Sequence, residues 1–285
     1  MLKLKPKFFL ISPNFFLLLL LGGYLHAQVQ IGGLITAADT GEPLPFVNIG
    51  IPNKGVGTVS DENGYYLLDI PSHFIQENLR FSMVGFSKYE VLISSLEGKF
   101  NFIHDVNLST EITALNEVIV TSGTWKTMSE GNKTESKLIV AGFTSNQLGN
   151  EIAQFIRVKK NRPTRVQAFW LAVAENNIES VILRLNIYTE KEGFPDENLL
   201  KKPIYIHLPN EPQTIKVDLK PFDIYLEDSF FISLEWIEDL GVENLWFSAS
   251  VFGKQLYARN ASQGEWVRQK ALGIGMGVEL FQKHN

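Results

Sequence analysis

The stretch "GVGTVSDENGYYLL", Gly55 to Leu68, sets Asp61, Glu62, Asn63 and Gly64 between two runs of strand-forming residues. It could be a metal loop, a phosphate cradle or a turn. A calcium loop needs oxygen ligands at alternate positions over about 12 residues with a distal bidentate Glu, and here Gly64 is followed by Tyr65, Tyr66, Leu67 and Leu68. A phosphate loop ends in Gly-Lys-Ser/Thr and opens a helix, whereas Gly57-Thr58 leads into a strand-like run. Asn-Gly is a strong short hairpin signal because both residues tolerate positive φ. The reading is therefore a hairpin turn between Thr58–Ser60 and Tyr65–Ile70, and a fold built from strands.

Working outward, Val29 to Thr121 repeats this pattern, with Gly, Pro, Asn and Asp punctuating short runs every ~8–12 residues, as in a β-sandwich or small barrel. Val47, Ile49 and Ile51 share one strand face, as do Tyr66, Leu68 and Ile70, and Leu79, Phe81 and Met83. Such faces must be buried against another sheet. Residues 122–137, "SGTWKTMSEGNKTESK", lose the alternation and read as a linker. Residues 138–285 are again β-rich: "SVILRLNIYTE" and "SFFISLEWIE" each place apolar residues at every second position. This half is expected to be a jelly-roll-like sandwich, with "KEGFPDENLLKKP", Lys191 to Pro203, as an exposed loop. An outer-membrane barrel fits poorly, since the strands are short of the ~9–11 residues a spanning strand needs.

Residues 1–27 read as an export signal: Lys3, Lys5 and Lys7, an apolar run ending in Phe15 to Leu21, then Ala27 before Gln28. Ser12, Pro13 and Asn14 interrupt that run, where a spanning helix needs ~20 apolar residues, so no membrane span is expected after cleavage. Losing three lysines takes the formal net charge from −5 to −8, and no basic stripe remains to neutralise phosphates, which argues against nucleic acid. The chain has no cysteine, so disulfides, thiol nucleophiles and a lipidated cysteine are excluded.

At this point several elements carry a resemblance. "GLITAADTGEPLPFVNIGIPNKGVGTVSDENGYYLLDIP", "LRFSMVGFSKYEV" and "LNEVIVT" occur in order. Together, over residues 29–121, they resemble the carboxypeptidase-regulatory-like domain found at the N-termini of exported Bacteroidetes proteins. The resemblance implies a transthyretin-like Greek-key sandwich that is not itself catalytic. Relatives precede TonB-dependent receptors or follow a zinc carboxypeptidase domain. The C-terminal half only loosely resembles secreted β-sandwich modules.

No catalytic constellation stands out. His73, His104, His207 and His284 lack zinc-helix spacing, and no Gly-x-Ser-x-Gly elbow is present. Glu235 and Glu238-Asp239 lie near Trp236 in a spacing that glycosidase carboxylates could use, but solvated surface is the preferred reading. His104 reads as a core or edge histidine. No cofactor and no metal site is expected. Trp236 shares the face of Phe230, Ile232 and Leu234 and should be buried, whereas Trp246 is out of phase with its neighbours and Trp266 sits in the polar stretch "ASQGEWVRQK". Trp246 and Trp266 are thus the candidate ligand contacts. The expectation is an all-β, non-enzymatic exported envelope protein whose partner is an envelope protein, associated with outer-membrane nutrient uptake. The alternative is a carbohydrate-binding accessory protein using the second sandwich.

Overall fold

The computed structural model describes residues 28–96, 102–111, 123–143, 145–241, 245–251, 255–270 and 272–284. The expected export signal and the closing element Leu115 to Val120 lie outside the described residues. The chain is all-β, with two sandwiches in sequence.

In the first sandwich, Gln28–Ala37 is central to one sheet. It pairs antiparallel with Tyr65–Pro71 and parallel with Phe102–Ile103 and Val106–Leu108. The facing sheet runs Val56–Val59, Asn48–Ile51, Asn78–Ser82, Tyr89–Leu92. Ile31, Ile35, Ile49, Ile51, Ile70, Leu79 and Phe81 close the core between them. Each is fully removed from water, worth roughly 1.5–3 kcal/mol per side chain of that size.

The Asp61–Gly64 turn differs from the expected hairpin. Val56–Val59 and Tyr65–Pro71 belong to different sheets, so the turn is a corner that carries the chain across the sandwich. A two-residue hairpin of the Asn-Gly type needs positive φ at both residues; here only Gly64 has it, at +80°. Asp61 sets the corner: its Oδ1 accepts the N–H groups of Asn63 and Tyr65, each at 2.9 Å. The carboxylate is thus spent on backbone, as an Asx turn uses it.

In the second sandwich, among the described residues, the larger sheet runs Val140–Phe143, Leu245–Val251, Thr164–Asn176, Met276–His284, Thr124–Gly131. The other runs Phe194–Asn198, Val181–Lys191, Phe230–Trp236, Glu151–Ile156, Leu256–Arg259, Val267–Gln269. Their inner faces bury Phe143, Phe169, Phe230, Phe247 and Trp236, the last at 1% exposure. A filled apolar interior of this kind belongs to a sandwich.

Two loop expectations are corrected. The supposed linker contains Thr124–Gly131, an edge strand paired along its length with Met276–His284; Met128 packs on the core between them. Its polar composition reflects an edge with one solvated face. The supposed loop after Lys191 folds back at once through Glu192 and Gly193, both at positive φ (54° and 85°), into Phe194–Asn198. That is the two-residue turn that strand twist favours.

Candidate functional site

Strand alternation that sends Leu183, Leu185 and Ile187 into the core sends Arg184, Asn186 and Tyr188 to the opposite face. Register does the rest. Arg184 lies beside Glu235, Glu235 beside Glu151, and Glu151 beside Arg259, one charged row across four adjacent strands. Arg184 Nη2 is 2.9 Å from Glu235 Oε2, and Arg259 Nη2 is 2.5 Å from Glu151 Oε2. Asn186 Nδ2 donates to Glu151 Oε1 at 3.0 Å and to Glu235 Oε2 at 2.8 Å, bridging the carboxylates, and Ser233 Oγ donates to Glu151 Oε1. Both carboxylates are at 0% exposure.

Burial raises the pKa of Glu151, and the Arg259 charge opposes that shift. For Arg259 burial is the largest single influence and works the other way, but Glu151, Tyr188 and Glu235 together outweigh it, so the guanidinium pKa is raised. Two carboxylates side by side are what a glycosidase uses, but these are each committed to an arginine and sealed from water. Glu235 is therefore not solvated surface, as its sequence context had suggested. It is half of a buried ion pair, because the sheet face it occupies is covered. Glu238 is half-buried and accepts the Ile182 N–H at 2.9 Å, while Asp239 accepts from Asn146.

The cover is the first sandwich. Arg184 donates through Nη1 to Phe46 O and through Nη2 to Asn48 Oδ1, both at 2.5 Å. Phe46 holds a left-handed backbone, φ +58°, rare for a bulky residue. That conformation goes with a ring packed edge-on against Tyr205, 5.5 Å between centroids, beside Val59 and Ile237. Gly50 and Gly57 face each other across paired strands, and a Cβ on either would collide with Ser262 O. Gly57 thus serves close approach of a second-sandwich loop. Gln263 completes the seam: its carbonyl accepts the Asn53 N–H at 2.8 Å, and its Nε2 donates to Ser82 Oγ at 2.8 Å.

The two tryptophans singled out in the sequence are not brought together. Trp266 is half-buried over Arg259, 4.9 Å from guanidinium carbon to ring centroid, and meets Tyr188 edge-on; it roofs the charged row. Trp246 sits on the outer face of the other sheet, beside Gly142 and Glu175 in register. On that same outer face, further along, lie Trp170 and the stacked pair Trp125–Phe281, 5.2 Å between centroids. The irregularity between Val166 and Ala168 shifts the alternation along this strand and turns Trp170 outward. Among the described residues no group of three or more His, Asp or Glu side chains could hold a metal ion. His104 is half-buried between Tyr89 and Phe81 with its pKa lowered, chiefly by burial.

Residues 31–120 match the family model described as CarboxypepD_reg-like domain. A curated relative, "TonB-dependent receptor P3" of Formosa agariphila, is 28% identical over 167 residues, covering 58% of this chain and 15% of the receptor. The chain thus spans a small part of that relative's length. Among solved structures, a candidate carbohydrate-binding protein from Bacteroides uniformis aligns at 13% identity over 85% of this chain and 98% of its own, TM-score 0.23. BcpA, the major pilin subunit of Bacillus cereus, aligns at 12% identity over 87% and 69%, TM-score 0.22. Scores this low establish no shared arrangement. Among the described residues no helix is long and apolar enough to cross a membrane, which says nothing of membrane strands.

Proposed function

Since residues 31–120 are a CarboxypepD_reg-like domain, we propose that the chain is a non-enzymatic, exported module of the bacterial cell envelope. In this reading it acts as an adaptor beside an outer-membrane uptake receptor. The observation that carries this is the junction. The buried carboxylates Glu151 and Glu235 are neutralised by arginines and closed over by the first sandwich and Trp266, so their role is to hold two bodies in fixed relation. The export-like residues 1–27 and the 28% identity to part of a TonB-dependent receptor support the location. The first sandwich keeps Tyr65–Pro71 as a sheet edge among the described residues, with Tyr65 and Leu67 exposed, and such an edge suits strand addition by a partner.

A photo-crosslinking residue at Leu67, read out in envelope fractions, tests this. Crosslinks to an outer-membrane receptor are expected, and a protein found only in the cytoplasm would contradict it. A second reading, glycan binding by the second sandwich, is favoured by the half-exposed aromatic side chains on its larger sheet.

A further inference from the structure

The larger sheet of the second sandwich has an outward tryptophan whose surroundings are unusual. Trp170 lies on Thr164–Asn176, with Gly277 beside it on the next strand and Gly131 beside Gly277 on the strand after. Its Cζ2 comes within 3.0 Å of where a Cβ on Gly131 would stand, and a Cβ on Gly277 would collide with it. Strands two places apart are separated by about 9–10 Å. An indole standing upright from the sheet would not reach that far, so the ring lies down across its neighbours. Glycine in a strand interior weakens the strand and marks close approach. Two of them in one row clear the space the ring occupies, and the indole is half-buried, with part of its surface open to solvent.

On the same outer face, two residues along the strand from Trp170, a depression of about 260 Å³ is lined by Ala168, Gln167, Lys216, Asp218, Lys220 and Glu279. Lys216 is the cross-strand neighbour of Trp170, and its Nζ is 2.7 Å from Glu279 Oε1. The rim carries two cations and two carboxylates, so it has no net charge. Beyond it, four residues along the strand from Gly277, Phe281 stacks on Trp125, about 13 Å away at the rise of an extended strand.

We propose that this face is a saccharide-binding site for a neutral glycan: Trp170 stacks on the apolar face of a sugar ring, and the charged rim hydrogen-bonds its hydroxyls. A flat apolar platform beside paired donors and acceptors matches a pyranose, which is apolar on its faces and polar around its edge. The balanced rim selects against polyanions. The inference rests on the second reading above and places it on residues other than Trp246 and Trp266.

The test is affinity electrophoresis of residues 28–285 through gels containing soluble glucan, mannan, xylan or galactan, with alginate as the anionic comparator, and with melting temperatures measured in parallel. The wild type should be retarded by at least one neutral polysaccharide. Trp170→Ala should weaken that retention at least tenfold and Glu279→Gln at least threefold, while Trp246→Ala leaves it unchanged. Should Trp170→Ala fail to fold, Glu279→Gln and Lys216→Met decide, since both lie on the solvated rim. Neutral retention that survives all three substitutions overturns the site but keeps glycan binding. Retention by alginate alone overturns the ligand class. Retention by no polysaccharide overturns both site and second reading, and leaves the adaptor reading to the crosslinking experiment.

Discussion

Asp61 and Gly64 divide one turn between them in different ways. Gly64 supplies the φ of +80°, and a Cβ there would meet Ile35 O at 2.7 Å. Gly64→Val should therefore cost on the order of 1–2 kcal/mol or more in urea unfolding. Asp61→Asn should cost little, since an amide oxygen can accept the same two N–H groups, and neither protein should melt differently with calcium or chelator. His104 makes a pH prediction. Its folded pKa is depressed, so between that value and about 6.5 the unfolded chain binds more protons. Stability should fall as pH drops below about 6.5, and His104→Gln should flatten that slope in urea titrations at pH 7.5 and 5.5. The chemistry of Gly64 was readable in the sequence because a positive φ is a local demand. The purpose of Gly57 was not, because its neighbour, Ser262, is brought to it only by the fold.

Among the elements, periodicity located the buried strands well, and failed where a strand is solvated or buried on both faces. Phe230–Trp236 was legible through Phe230, Ile232, Leu234 and Trp236, yet its opposite face, Phe231, Ser233 and Glu235, is buried too. Nothing in an alternating polar position announces that another domain will cover it. Thr124–Gly131 was missed for the converse reason: an edge strand with few apolar residues resembles a linker in composition. Hydrogen exchange should show protected amides within Lys126 to Glu130, as for a paired strand. At the joint, Arg184→Met alone strands Glu235 in a dry site and should cost about 3–5 kcal/mol, whereas adding Glu235→Leu should recover much of the loss. Thermal or urea unfolding of the three proteins checks it. Equal loss in the single and double variants would mean the pair itself, not the orphaned charge, carries the stability.

Over the whole molecule, two apolar cores, one around Ile31, Ile49 and Phe81, the other around Phe169, Trp236 and Phe247, sit either side of a seam that combines polar contacts with the small cluster of Phe46, Val59 and Ile237. Each core is large enough for a domain, so residues 28–121 are proposed to fold alone; the seam then determines whether the intact chain behaves as one body. Its contacts are directional: Arg184 to Phe46 O and Asn48, Gln147 to Gly57 O, Gln263 to Ser82. Buried charge of this kind contributes orientation more than net stability, which is consistent with the proposed adaptor role. In the proposed reading the charged row is a mechanical joint and not a reaction centre. Differential scanning calorimetry of residues 28–285 measures this most directly. One cooperative transition is expected for the wild type, with calorimetric and van't Hoff enthalpies agreeing, and two separate transitions for Arg184→Met. Two independent transitions in the wild type, unmoved by Arg184→Met, would contradict it.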